Sequence, residues 1–313
     1  MVLTLLQAKV GMADKVDQQV IDTFRRESLL MDRLVYDDAV SPGTGGSTLV
    51  YGYQQIKTPA TAGFRAINSE YTANEAIKEA KTVKLAVLGG SFQIDRVIQS
   101  TSGQVAEATF QMEQKIKGAR NAFHNAIVNG SSAVDANSFD GLNKLLTGTS
   151  TELGTTAVID LTAMATQAAA FAFLDKIDDF LSELDGVPTM LMGNSKLINK
   201  IKSAARYAGY LSQSEDAFGK TVDAYNGIPL VDLGFYTSVS GGTPTTASVV
   251  GIFARTVGSA QTGLTDLYAV NVGIDGFHGV TPMGGIGIHS YLPDFNAPGA
   301  MKTGEVEMIV GMA

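Results

Sequence analysis

Three histidines, His124, His278 and His289, are the only imidazoles among the 313 residues, so they are the first place to look for proton transfer or metal ligation near neutral pH. A zinc hydrolase needs two such side chains one helical turn apart with a carboxylate close by. No pair has that spacing. His124 falls beside the apolar stripe of a long helical pattern, where a packed or hydrogen-bonded imidazole is the ordinary outcome. The chain has no cysteine, which excludes a thiol nucleophile, a zinc-thiolate site, an iron-sulfur cluster and a disulfide framework.

The loops that could hold phosphate or a cation fail on their own chemistry. Gly43-Thr44-Gly45-Gly46-Ser47-Thr48 lacks the Gly-Lys-Ser/Thr ending of a phosphate loop, and no strand precedes it to feed a helix. Gly284-Gly285-Ile286-Gly287 leads to His289 and Pro293 where a dinucleotide site would open a helix. Asp135-Ala136-Asn137-Ser138-Phe139-Asp140-Gly141 begins like a calcium loop. However, Phe139 stands at a ligand position, the glycine is displaced by one, and no glutamate closes the loop. There is no Gly-x-Ser-x-Gly elbow, and Asp178-Asp179 fit the solvated face of a helix better than an acid/base pair. Asn129-Gly130-Ser131 reads as a helix stop with a left-handed glycine rather than a glycosylation site. The sequence therefore supports no catalytic residues, no cofactor and no metal, and the chain is not expected to be an enzyme.

Composition points elsewhere. Hydrophobic residues make up 45% and charged residues only 17%, against roughly a quarter charged in soluble domains. Much of so weakly charged a surface is expected to face other subunits. The net charge of −8 and pI of about 4.9 offer no basic field for sequence-specific DNA binding. The start, Met1 to Val10, lacks the basic and long apolar segments of a signal peptide, and Ala163 to Leu174 is too interrupted to span a bilayer. The reading is a cytosolic product with no membrane segment.

The elements that must carry any function come next. Val105, Ala108, Met112, Ile116, Ala119, Phe123 and Ala126 recur every three or four residues, one continuous helical face within Gln104 to Asn129. At 1.5 Å per residue that helix is about 35 to 40 Å long. Before it, an N-terminal helix is expected from the cap Asp14 to near Tyr36, then a break at Ser41 to Gly46. Thr48 to Tyr53 has strand composition, Lys57 to Lys81 has little periodicity, and Thr82 to Val87 alternates as a returning strand. A long two-stranded excursion of this kind is marginal alone in water, so a neighbouring subunit is expected to support it.

After the long helix, Asp160 caps a helix running through Leu161, Met164, Ala168, Phe171, Leu174, Ile177, Leu181 and Leu184 to Gly186. Val187 to Met192 reads as a short buried strand, and a further helix runs from Asn194 to Gly209. Beyond it, Ile228 to Val231, Ala247 to Phe253, Leu267 to Val272 and Glu305 to Val310 read as strands, with Ser238 to Thr246 an exposed loop. The fold class is α+β, a mixed sheet with helices packed on it.

This order of elements resembles the major capsid proteins of tailed bacteriophages, the Hong Kong ninety-seven-like family. The resemblance rests on the hairpin Ser47 to Leu88, the helix Gln104 to Asn129, and the Phe139-Asp140-Gly141-Leu142 turn that follows. It implies an N-terminal arm over 1–46 and an extended loop over 47–90. It also implies a peripheral domain over 91–159 and 290–313 with its spine helix at 104–129, and an axial domain over 160–289. It further implies an icosahedral shell of pentamers and hexamers of this chain around double-stranded DNA contacted without sequence preference. The other implied partners are a separate scaffolding protein, a portal and, in some relatives, decoration proteins. Location would be the virion, assembled in the host cytoplasm.

In some relatives a loop lysine forms an isopeptide bond with a neighbouring subunit, which makes Lys57, Lys78 and Lys81 the candidate inter-subunit loop residues. The acidic balance suits an inner face that repels packaged DNA weakly. An encapsulin-type compartment shares the arm, loop and spine order and stays open as the alternative. A small-molecule enzyme would instead show a ligand-sized pocket, and tail-tube proteins are predominantly β.

Overall fold

A computed structural model describes residues 29–40, 46–101, 107–154, 158–161, 166–184, 186–209, 211–215, 221–240, 242–282 and 288–313. The expected start of the N-terminal helix, the break at 41–45, the first residues of the long helix and Gly284 to Gly287 lie outside them. What is described of the N-terminal helix is α1 (Leu29–Arg33). It ends before Tyr36, which opens strand β1 (Tyr36–Ala39).

The first half of the chain continues through β2 (Val50–Thr58), β3 (Ile77–Lys84), β4 (Ala86–Asp95), α2 (Arg96–Thr101), α3 (Glu107–Asn129) and α4 (Leu142–Leu146). The second half holds α5 (Gln167–Ser182), β5 (Met190–Gly193), α6 (Ser195–Ala208), β6 (Leu211–Glu215), β7 (Thr221–Tyr225), β8 (Ile228–Asp232), β9 (Phe235–Ser240), β10 (Thr243–Ser248), β11 (Phe253–Val257), β12 (Ser259–Leu264), β13 (Leu267–Val270) and β14 (Gly279–Pro282). The chain returns to the first sheet through β15 (His289–Tyr291) and β16 (Met301–Met312).

Strand β16 organises the first sheet. It pairs antiparallel with β4 from Met301–Asp95 to Val310–Ala86, and its other edge takes β15 and β14. Beyond β14, β1 adds in parallel. Along β16 the buried positions Lys302, Gly304, Val306, Met308 and Val310 alternate with more exposed ones, the period-two signature of a strand with one covered face, and the strand ends with Gly311 and Met312 both buried. The first turns of α3 cover that face, with Ala108, Met112 and Ala119 packed among Phe92, Ile94 and Val306.

The second sheet runs β13-β5-β8-β7-β6. Helices α5 and α6 cover one face with Phe173, Leu174, Ile177, Ile198 and Ile201. Asn194 caps α6, accepting from Lys196 N at 3.0 Å, and Gly209 ends it at φ 76, as the sequence leads one to expect. The two sheets meet through a third cluster that gathers Phe123, Ile127 and Val128 of α3 with Met190, Met192, Val231, Met308 and Met312.

Several expectations are corrected. Helix α5 is capped by Thr166, whose hydroxyl accepts from Ala169 N, and not by Asp160, which lies in irregular chain. The run Val187 to Met192 enters the sheet only at Met190, and Val187 is exposed. Ser238 to Thr246 is not a loop: β9 and β10 pair from Thr243–Ser240 to Ser248–Phe235, because β-branched Val and Thr residues suit a ladder even in a Gly/Ser-rich stretch. Ala247 to Phe253 is not one strand. Its apolar centre, Val249 and Val250, turns into the core between two hairpins, and an apolar run alone does not distinguish a strand from a buried link.

Candidate assembly surface

The least supported element in the described chain is the hairpin β2/β3. Its ladder runs from Val50–Lys84 to Ile56–Lys78, with a bulge before Thr58–Ile77. The pairing is therefore longer than the sequence pattern suggests, and only 59–76 is irregular. What reads as one strand, Thr82 to Val87, is split at Leu85, whose side chain is buried and whose N–H donates to Leu49 O at 2.9 Å.

Every residue from 54 to 78 is exposed, including Ile56, Phe64 (110%), Ile67 (91%), Tyr71 and Ile77. Two strands alone do not hold such a surface in water, and soluble monomers seldom leave large apolar side chains clustered in the open. The tip nevertheless carries internal order. The Arg65 guanidinium sits 5.2 Å from the Tyr71 ring centroid and donates to Ala66 O and Ser69 O, each at 3.2 Å. Asn68 takes the left-handed conformation (φ 66) in the turn closed by Ser69 N to Ala66 O.

At the root, Tyr51 lies between two other elements. Its hydroxyl donates to Asp37 Oδ2 of β1 at 2.8 Å, and its ring meets His278 edge-on, 5.8 Å between centroids at 84°. Burial, then the Asp37 carboxylate, pushes the Tyr51 hydroxyl up to about 12, so it stays a donor at any physiological pH. His278 is held by Nδ1 against Gly276 O at 2.9 Å and by main-chain bonds in both directions with Ala313. Neither Tyr51 nor Phe64 stands out in the sequence. The only signal is the alternation of Tyr51 and Tyr53 along one strand face.

The three loop lysines divide by register. Lys81 lies opposite Tyr53 and its ammonium pairs with Glu79 at 3.1 Å. The charge of Lys57 also acts on Glu79, and the two ammonium groups, Lys81 first, hold that carboxyl below its ordinary value. Lys78, opposite Ile56, falls on the other face. The charges of Lys57 and Lys81 thus both act on Glu79, and Lys78 lies on the opposite face of the ladder from Lys81.

The histidines stay apart. His124 is buried on α3, and burial holds its imidazole below the ordinary value. His289 is exposed on an edge strand. No group of three or more metal-binding side chains exists among the described residues, and no helix among them is long and apolar enough to cross a membrane. Asp179 pairs with Lys176 of the same helix at 3.0 Å, while Asp178 accepts from the Tyr225 hydroxyl at 2.8 Å, so Asp178 alone ties the helix to the second sheet.

No protein-family model and no curated protein matches the chain. Solved structures do. The capsid of a native GTA particle is similar with a TM-score of 0.61 at 12% identity, over 100% of this chain and 95% of that one. The holo-SrpI encapsulin complex from Synechococcus elongatus PCC 7942 gives 0.60 at 13% identity, over 100% and 92%. A structure from Mycobacterium phage Che8 gives 0.53 at 10%, over 96% and 93%. At these identities what is shared is the fold: a mixed α+β capsid-shell architecture along the whole chain.

Proposed function

We propose that the chain is the major capsid protein of a tailed bacteriophage, assembling with copies of itself into the icosahedral shell that encloses double-stranded DNA. The observation that carries this is the hairpin: on a capsid-shell fold, residues 54–78 form an ordered but wholly exposed arm with five large apolar side chains. Such an arm gains stability only by lying on another subunit. Repeated around closed symmetry, many modest contacts of this kind sum to a stable shell.

Within this reading, 1–46 is a separate N-terminal arm, and 47–90, which carries the hairpin, is the extended loop. The peripheral domain is 91–159 with 290–313, its spine helix at 104–129, and the axial domain is 160–289. Lys57, Lys78 and Lys81 are inter-subunit loop residues, and scaffolding protein and portal are separate partners. The shell subunit has no catalytic role. A denaturing gel of assembled shells reads covalent linkage through the lysines: monomer bands alone remove it, and a ladder of multimers lost in the Lys78→Arg or Lys57→Arg variant assigns it.

Electron microscopy of the purified full chain tests the main reading. Icosahedral shells or flat hexameric sheets support it, and a chain that stays monomeric even with host lysate overturns it. The likeness to an encapsulin complex supports a second reading, a protein compartment. Particles isolated from the native source separate the two: a phage shell contains nucleic acid or carries tails, and a compartment contains a cargo enzyme.

A further inference from the structure

We infer that Tyr51 is a positioning residue that sets the pose of the hairpin for docking, acting as a clasp between Asp37 and His278; the docking step itself rests on the shell reading above. The geometry leaves few other anchors. Among the described residues the other contacts of the hairpin with the body lie at its root, Thr48 N to Ala39 O at 3.2 Å and Val83 beside Gly311, where the rung Leu85 N to Leu49 O at 2.9 Å closes the hairpin's own ladder. All of these grip the chain at one end of the ladder and leave the swing of the arm about that end unopposed. Tyr51 is different: it projects from the ladder to two elements, β1 by its hydroxyl and the 276–278 turn by its ring.

The two contacts lie on different groups of the same side chain, so together they fix a direction rather than a point. The bond to Asp37 is charge-assisted and directional, and the edge-on ring contact restricts rotation about the tyrosine axis. His278 is itself immobilised by Gly276 and Ala313, and Asp37 Oδ1 accepts from Asp38 N at 2.8 Å, so both partners of the clasp are fixed to the first sheet. A pre-set arm reaches a neighbouring subunit without losing orientational freedom on contact, which is how preorganisation raises affinity.

Hydrogen exchange of the full-length subunit before assembly tests the clasp, and assembly yield tests its use. Tyr51→Phe removes only the hydroxyl. Amides of 50–53 and 82–84 are expected to exchange about fivefold faster, the loss of one net hydrogen bond, while those of β16 stay as in the wild type. Asp37→Ala should do the same, and Asp37→Asn, which keeps an acceptor, should restore most of the protection; a merely structural loss at 37 would not be rescued in this way. Combining Tyr51→Phe with Asp37→Ala should add little to either alone. Shells from Tyr51→Phe should form in several-fold lower yield or in mixed sizes.

Unchanged root exchange in both Tyr51→Phe and Asp37→Ala overturns the clasp. Faster exchange with normal shells overturns its positioning role. A wild-type chain that forms no shell while the exchange results hold overturns the shell reading and leaves the clasp standing.

Discussion

The Gly141 N–H donates to the Gly130 carbonyl at 2.9 Å, and a Cβ added to either glycine would stand 2.5 Å from the same Ala126 carbonyl oxygen. The loop leaving the long helix thus returns to close on the helix end. Gly130 is not the left-handed stop that its sequence suggests, since it is absent from the positive-φ glycines. It is needed because the returning chain leaves no room for a side chain. Phe139 and Leu142 then bury on either side of this closure, with the Phe139 ring edge-on to Phe123 at 6.1 Å.

Gly130→Ala and Gly141→Ala therefore each force a Cβ against main-chain oxygens, and each is expected to lower subunit stability by about 1–3 kcal/mol without changing the hairpin. Chemical unfolding of the subunit checks this. Gly118→Ala on the same long helix meets nothing within 4 Å and is expected to be neutral or slightly stabilising through helix propensity.

Phe64 and Ile67 give the opposite signature. Both are almost fully exposed, so Phe64→Ser with Ile67→Ser should leave the unfolding free energy of the subunit within about 0.5 kcal/mol of wild type. If the tip docks on a neighbour, the same pair loses about 1.5–3 kcal/mol of burial per side chain, and light scattering should show assembly only at tenfold or higher protein concentration. Normal assembly of the double variant would falsify the tip as a contact.

How much was legible in the sequence follows from which physics each element obeys. The helices Glu107–Asn129 and Ser195–Ala208 are local objects: their stripes and the Asn194 and Gly209 caps are written within one segment, and they emerge where expected. The hairpin Phe235–Ser240 with Thr243–Ser248 was missed because polar Ser and Thr hide a ladder that pairing supplies. Thr166 replaces Asp160 as a cap because several nearby residue types can cap and packing selects among them. The Tyr51 clasp was invisible because its partners, Asp37 and His278, are distant in sequence, and no local pattern marks a tertiary hydrogen bond.

Acid should weaken the folded subunit through His124. Its imidazole is held below the free-histidine value of 6.5 by burial, and its Nε2 is buried with no hydrogen-bond partner among the described residues. As pH falls below 6.5 the unfolded chain takes up this proton before the folded chain does, so stability present above that pH is lost progressively toward the folded-state value. Urea unfolding between pH 8 and 5 should show this loss, and His124→Gln should flatten the histidine part of the slope. An unchanged slope in that variant would remove His124 as its source.

Asn194 separates two roles carried by one side chain. Its Oδ1 caps helix α6 by accepting from Lys196 N at 3.0 Å, and its Nδ2 donates to the buried carbonyl of Val250 at 2.7 Å, which holds the link between the β9/β10 and β11/β12 hairpins against the second sheet. Asn194→Ser keeps a cap acceptor but is too short to replace the amide donor, so it isolates the second role; leaving a buried carbonyl unpaired costs about 1–3 kcal/mol. Asn194→Asp also keeps the cap, and places a carboxylate against that carbonyl, so it should be the more damaging of the two although the two residues cap a helix about equally well. Asn194→Ala loses both and should fall below Ser by about a further 1 kcal/mol. Equilibrium unfolding of the three variants checks the order; an aspartate variant as stable as wild type would mean that the bond to Val250 contributes nothing and that Asn194 acts as a cap alone.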